Sequence, residues 1–193
     1  MLASIDSTFS QVGADIVLLL LVGLNGYLGW RYGFLRRVVA FAGVYVACFA
    51  ASNLGNTMAS IAQARSVSGN AWAFILTFIV VVFICEVMAA MVNDRLQKLA
   101  VVMFDHVAGL LSGIAVGLSE ALILFLVAFA VAQAPASRPP LAPGGEPLGH
   151  ALSNATLSGQ VTRLEPLATN VFGVALPHDM SSHLQEGTPA PQA

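Results

Sequence analysis

The most informative segment of the sequence reads Asp105-His-Val-Ala-Gly-Leu-Leu-Ser-Gly-Ile-Ala-Val-Gly-Leu-Ser-Glu120. Within this apolar run, Gly109, Gly113 and Gly117 recur four residues apart. Glycine disfavours a helix in water by about 1 kcal/mol relative to alanine, but in a membrane small residues let two helix backbones approach closely. At about 100° per residue, Glu120 falls within the arc of the three glycines. The segment therefore predicts a membrane helix whose glycine face packs against another helix and carries one carboxyl group.

The composition is that of a membrane protein. Of the 193 residues, 57% are hydrophobic and 9% are charged, whereas about a quarter of the residues in a typical soluble domain are charged. The formal net charge is −2 and the longest basic run is Arg36-Arg37, which argues against a nucleic-acid partner. All nine prolines lie at or after Pro135, so a proline-free apolar part gives way to a tail near residue 133.

Four apolar runs are long enough to cross a bilayer, which takes roughly 17–25 residues of helix, although the first is at the short end of this range. They span residues 12–28, 34–54, 71–92 and 107–132. We therefore predict an all-α integral membrane protein with four transmembrane helices. Its parts are an N-terminal segment (1–11), the four-helix domain (12–133) and a C-terminal tail (134–193). The third run has the bulkiest side chains and is expected to be the most exposed to lipid.

The tail is predicted to have two parts. Residues 134–147 are rich in alanine, proline and glycine, which is typical of an extended linker. From Leu148 onwards apolar residues recur at helical spacing, although Pro166 interrupts the pattern. This indicates short amphipathic helices that lie either on the membrane surface or on the helix bundle. Residues 186–193 are expected to be disordered.

Lysines and arginines in the short connections predict the orientation, because these residues collect on the cytoplasmic side of a membrane. The first and third connections contain five of them: Arg31, Arg36, Arg37, Arg95 and Lys98. The second connection and the tail contain three: Arg65, Arg138 and Arg163. We therefore expect both termini on the outer side of an inner membrane, which in a Gram-negative cell is the periplasm.

Among the polar side chains within the predicted spans, Glu120, Glu86 and Asn25 are the candidate functional residues. A charged group at the bilayer centre costs at least about 3 kcal/mol on insertion scales, so such a group is neutral, paired or in contact with water. Glu120 is interpreted either as a hydrogen-bonded structural carboxyl group or as a proton, ion or substrate site. Glu86 is expected to reach the membrane surface or to pair with Arg95 or Lys98. Asn25 is expected to form a hydrogen bond between helices.

Two groups near the predicted inner surface have a structural and a functional interpretation. Arg31, Arg36 and Arg37 either set the topology or bind anionic lipid or a partner. Asp105 either caps the N-terminus of the fourth helix or forms a polar switch with His106. The histidines and cysteines match no metal-binding motif, so no metal or other cofactor is predicted.

Two segments resemble a known family. The first hairpin contains Gly29-Trp30-Arg31-Tyr32-Gly33-Phe34-Leu35-Arg36, and the fourth helix begins Asp105-His106-Val107-Ala108-Gly109. Their order and spacing over residues 12–132 resemble the colicin V production protein (CvpA) family, small four-helix proteins of the bacterial inner membrane. Gly29 and Gly33 thus join the three glycines of the fourth helix as predicted helix-packing residues. The resemblance brings no catalytic residues.

The resemblance implies a role in toxin production or export in some bacteria and a broader envelope role in others. The leading hypothesis is therefore an inner-membrane protein that is not an enzyme and acts through helix packing and partners. Its expected partners are the lipid bilayer and either a second copy of the chain or other membrane or secretion proteins. The alternative hypothesis is a small oligomeric transporter or channel that uses Glu120. Whether the glycine face packs within one chain or between chains is left open by the sequence.

Overall fold

The computed structural model is all-α, as the sequence predicts. It describes residues 2–61, 67–96, 102–132, 155, 157, 160, 162–177 and 179–185, and these residues form no β-strand. The four long helices are α1 (Leu2–Tyr32), α2 (Phe34–Ile61), α3 (Val67–Leu96) and α4 (Val102–Ala132). In the tail, a 3-10 turn at Thr162–Leu164 leads into the short helices α5 (Glu165–Phe172) and α6 (Met180–Gln185). The predicted linker (134–147) and the predicted disordered end (186–193) lie outside the described residues.

Each long helix contains a segment that is long and apolar enough to cross a membrane. These segments are Val12–Tyr32, Phe34–Ile61, Val67–Met91 and Asp105–Val131. The chain is therefore a multi-pass membrane protein. Its helices extend past most ends of the apolar runs read from the sequence, because backbone hydrogen bonding continues through polar flanks that contain no proline. For the same reason residues 2–11 of the predicted N-terminal segment are part of α1.

The fourth helix is at the centre of the bundle. In the 18-residue apolar stretch that defines its span, 67% of the residues are buried within the protein, compared with 17% in the corresponding stretch of α3. α4 contacts each of the other three long helices, and it shares its most extensive interface with α1. α3 is consequently the helix that leaves most of its surface to lipid.

α1 and α4 run antiparallel with their backbones in contact. Opposite Gly109, Gly113 and Gly117 of α4 lie, in order, Gly29, Asn25 and Leu21 of α1. A Cβ atom added to Gly109 or Gly113 would collide with the facing backbone of α1, and one added to Gly117 would lie 2.5 Å from the carbonyl oxygen of Leu21. The glycine face of α4 is therefore filled by the first helix of the same chain.

A single glycine, Gly33, forms the turn between α1 and α2. Its φ of +88° lies in the left-handed region, which glycine adopts without the steric cost of a Cβ atom. Its N–H donates to the carbonyl oxygen of Gly29 at 2.8 Å, which closes the end of α1. A Cβ atom on Gly33 would also collide with the carboxylate of Asp105. Both its conformation and its surroundings thus require glycine here.

The position of Asp105 differs from the sequence interpretation. α4 begins at Val102, so Asp105 lies in its first turn and is not the residue that precedes the helix. Its Oδ1 instead accepts the N–H of Phe34 at 2.8 Å. The first N–H groups of a helix have no partner within that helix, and Gly33, which precedes α2, has no side chain to offer. Asp105 therefore caps α2 from another part of the chain.

The second helix buries a face of small residues between α3 and α4. The buried residues of this face are Ala40, Gly43, Val44, Ala47, Cys48, Ala51, Gly55 and Ala59. A Cβ atom on Gly43 would lie 2.7 Å from the Cβ of Cys85, so the α2 and α3 backbones are also close. Phe74 and Phe78 of α3 and Ile123 of α4 complete this core.

The described part of the tail packs on the bundle. Five of its buried apolar residues belong to the same core cluster as α2 and α4: Ala168, Phe172, Ala175, Leu176 and Leu184. The ring of Phe172 lies 5.7 Å from that of Phe41 and 6.0 Å from that of Tyr45. The hydroxyl of Ser52 donates to the carbonyl oxygen of Ala175 at 2.8 Å. Of the two placements that the sequence allowed for these helices, the structure has the one on the bundle.

Candidate functional site

Glu86 of α3 is paired with two consecutive arginines of α2. Nη2 of Arg37 donates to Oε2 of Glu86 at 2.9 Å, and Nη2 of Arg36 lies 3.5 Å from the same oxygen. Arg37 is 0% exposed and Arg36 8%. The guanidinium of Arg36 also lies 4.0 Å from the ring centre of Tyr32, a favourable cation–π arrangement. Buried guanidinium groups need acceptors, and Glu86 provides one for both.

Asn25 of α1 connects this pair to the fourth helix. Its Oδ1 accepts Nη1 of Arg37 at 2.9 Å, and its Nδ2 donates to Oε2 of Glu120, also at 2.9 Å. Nδ2 donates as well to the carbonyl oxygen of Leu21 at 3.0 Å. The arginine can only donate and the carbonyl can only accept, so the orientation of the Asn25 amide is fixed. Asn25 is 5% exposed.

Glu120 is the deepest member of this group. It lies 15 residues after Asp105, or about 22 Å along the helix at 1.5 Å per residue. Side chains of a helix lean towards its N-terminus, which directs the Glu120 carboxyl group back towards Asn25. Glu120 is 6% exposed.

These five side chains form one connected network, which we call the polar chain: Arg36, Glu86, Arg37, Asn25 and Glu120. It takes at least one residue from each long helix and therefore ties the whole bundle together. In formal charge it contains two cations and two carboxyl groups, but these are unevenly paired. Glu86 contacts both guanidinium groups, whereas among the described residues the hydrogen-bond partner of Glu120 is an amide.

The polar chain is followed by apolar packing. Beyond Glu120, towards the end of the bundle that carries the tail, lies a buried cluster of Ala14, Leu18, Ala121, Phe125 and Ala155. This cluster joins α1 and α4 to the tail. Polar side chains thus lead from the α1–α2 turn to the middle of the bundle and are followed there by a hydrophobic layer.

A pocket of about 300 Å³ lies beside the end of the polar chain that is deepest in the bundle. Glu120, Asn25 and Glu86 all line it, and the rest of its lining is apolar. The apolar lining residues come from α1 (Leu21, Leu24, Leu28), α3 (Phe78, Ile79, Val82, Phe83) and α4 (Leu124). A small ligand in this pocket could therefore meet carboxyl and amide groups within hydrocarbon walls.

The structure changes the interpretation of the arginines. Arg31 is exposed at the end of α1, as expected for a residue at the membrane surface. Arg36 and Arg37 are buried instead, because α2 begins directly after the turn and turns both side chains towards Glu86. Glu86 in turn is paired with these two arginines, while the side chains of its predicted partners Arg95 and Lys98 lie outside the described part of the structure.

Sequence reasoning identified the members of the polar chain but did not connect them. The topology contained a usable signal, because it placed the start of α2 and the end of α3 at the same side of the membrane. Arg37 lies about one turn after the start of α2 and Glu86 about three turns before the end of α3, so their pairing was geometrically possible. The hydrogen bonds of Asn25 to Arg37 and Glu120 depend on the register between α1 and α4. The sequence contained no signal for that register.

The fold and this network define a class of protein: a multi-pass α-helical membrane protein with a buried polar network in its core. Among the described residues no group of His, Cys, Asp and Glu could hold a metal ion. A family model described as Colicin V production protein matches residues 14–165. The chain belongs to this family, which confirms the resemblance noted in its two segments. Comparison with curated proteins and with solved structures gave no match.

Proposed function

We propose that this protein takes part in the production or export of a colicin V-type toxin and in envelope homeostasis, as an inner-membrane protein without enzymatic activity. Membership of the Colicin V production protein family carries this proposal. The tight α1–α4 interface supports it, since the glycine contacts make a rigid bundle that can present its other faces to partners. Lipid and other membrane or secretion proteins are the proposed partners.

The test is toxin export in a colicin V-producing strain that lacks its own family member. Expression of this chain should restore toxin activity in the culture supernatant. Gly113→Ala should restore less, because the added methyl group collides with the α1 backbone at Asn25. Gly23→Ala is the matched control, because a Cβ atom there would meet nothing within 4 Å. Normal toxin export by the same strain when this chain is absent from its membrane would contradict the proposal.

The orientation is a part of the proposal with its own test. We propose that the α1–α2 turn faces the cytoplasm and that both termini face the periplasm, in line with the exposed Arg31 at the turn. Alkaline phosphatase, which is active only in the periplasm, should be active when fused after Ala193. The same fusion would be inactive if the termini were cytoplasmic.

A second candidate function is proton or ion transport through Glu120. The observation that favours it is the polar chain, which leads from Arg36 near the turn to a carboxyl group at mid-membrane beside a pocket. Purified protein in liposomes should then conduct protons or ions along a gradient, and Glu120→Gln should abolish the flux. Absence of flux under every gradient would reject transport and leave the partner-based role as the remaining proposal.

A further inference from the structure

A groove between α1 and α3 opens towards the lipid. α4 packs against both of these helices, and the pocket of about 300 Å³ lies between their facing side chains. Three of its lining residues are about half exposed or more: Leu24 at 58%, Ile79 at 49% and Phe83 at 67%. In a membrane these side chains face hydrocarbon. A molecule dissolved in the bilayer can therefore enter the groove sideways.

The polar groups at the floor of the groove offer more hydrogen-bond acceptors than donors. Glu86, Glu120 and Asn25 reach it, and the two carboxyl groups differ in their partners. Glu86 is neutralised by Arg37 and Arg36. Glu120 receives one hydrogen bond through Oε2, from the amide of Asn25, and within the described residues Arg37 reaches Glu120 only through that amide and not by a direct salt bridge. A carboxyl group at this depth is either protonated or paired with a cation, so a cation bound in the groove would give Glu120 the direct ionic partner that the Asn25 amide does not provide.

We infer that the groove binds a lipophilic cation, with its apolar body between α1 and α3 and its charge against Glu120. This inference rests on the transport role proposed above, for which it supplies the class of substrate. Hydrophobic walls with one carboxylate are suited to a molecule that combines a single positive charge with a large apolar surface. The entry route through the bilayer concentrates such molecules at the mouth of the groove.

The same groove is unsuited to a lipophilic anion. The charged groups that face Glu120 are Arg37 from α2 and Glu86 from α3, and Asn25 faces it from α1. Arg37 is fully buried and is held by Asn25 and Glu86, and it does not line the pocket. An anion would therefore meet two carboxyl groups before any free positive charge.

The test compares two ions of the same shape and opposite charge. Purified protein in lipid nanodiscs is titrated with tetraphenylphosphonium or with tetraphenylborate, and binding is measured by equilibrium dialysis against empty nanodiscs. We expect saturable binding of the phosphonium only. Glu120→Gln should weaken it by roughly 30-fold or more, as expected when one partner of a desolvated charge pair is removed. Equal binding of both ions, or unchanged binding to the variant, would show an ordinary lipid-filled crevice and overturn the inference.

A second pair of variants leaves the polar chain intact. Ile79→Trp places an indole in the groove, whereas Val80→Trp adds the same indole to the next residue of α3, which is 54% exposed and does not line the groove. We expect the first to block phosphonium binding and the second to leave it unchanged. Should both variants bind as the parent does, the groove is not the binding site.

Binding and transport are separated by the design. The titration uses no gradient and no partner protein, so phosphonium binding without ion flux in liposomes would support the groove and reject transport. Proton flux that depends on Glu120, without phosphonium binding to the folded protein, would support transport and reject the groove as a cation site.

Discussion

Asp105 accepts a hydrogen bond from the backbone N–H of Phe34 at 2.8 Å, although 71 residues separate them in the chain. The contact places the first turn of α4 against the start of α2, beside a turn that is a single residue long. Because Gly33 lacks a side chain, the cap of α2 comes from α4. One carboxylate thus fixes the relative position of three helices at this end of the bundle.

We expect Asp105→Ala to destabilise the protein by about 1 kcal/mol, the usual cost of a lost N-terminal cap. Asp105→Asn keeps an oxygen acceptor in the same place and should cost less. The measurement is thermal unfolding of the purified protein in detergent. Equal melting temperatures for the parent and the alanine variant would show that the Phe34 N–H finds another acceptor.

The glycine contacts predict a large difference between chemically identical substitutions. Gly113→Ala should destabilise the protein by about 1–3 kcal/mol or more, because the new methyl group meets backbone that cannot rotate away. Gly23→Ala, on the facing helix but in open space, should cause no loss. Thermal unfolding of both variants in detergent tests this directly. Similar losses in both would mean that helix propensity, and not backbone contact, sets the effect.

The sequence predicted the elements of this fold better than their pairings. Its hydropathy indicated four membrane helices, and the spacing of Gly109, Gly113 and Gly117 placed Glu120 on the glycine face. Both inferences use the period of one helix, which a local pattern contains. The burial of Arg37 depends instead on a residue of another helix, Glu86, and basic residues beside a turn are usually at the membrane surface.

The adjacent residues Arg36 and Arg37 should contribute unequally to the stability of the protein. Arg37 is 0% exposed and makes two hydrogen bonds at 2.9 Å, whereas Arg36 is 8% exposed and lies 3.5 Å from Glu86. Removing one partner of a buried ion pair costs about 3–5 kcal/mol, so Arg37→Met should be the more damaging by several-fold in the unfolding constant. Arg36→Met is its matched control, with the same side chain one position earlier.

A double-mutant cycle extends the arginine comparison. Arg37→Met combined with Glu86→Met should destabilise less than the sum of the two single variants, because the Arg37–Glu86 bond is lost once and not twice, and the loss of Glu86 by Arg36 is common to both variants that lack Glu86. Chemical unfolding of the four proteins in detergent supplies the coupling energy. Additive effects, or an Arg36 variant as damaging as the Arg37 variant, would show that the Arg37–Glu86 bond contributes little.

The docked tail allows a prediction with two neighbouring residues. Phe172 is 2% exposed and packs on Phe41 and Tyr45, whereas Val171 is 43% exposed. Truncating a buried phenylalanine costs about 3–5 kcal/mol, which exceeds what a short helix such as α5 can recover from its remaining contacts. Phe172→Ala should therefore release the tail while the four long helices stay folded, and Val171→Ala should not.

Limited proteolysis in detergent detects this as faster cleavage after Arg163, with the membrane fragment left intact. Equal cleavage rates in the two variants would mean that hydrogen bonds such as Ser52 to Ala175 hold the tail without the aromatic contact.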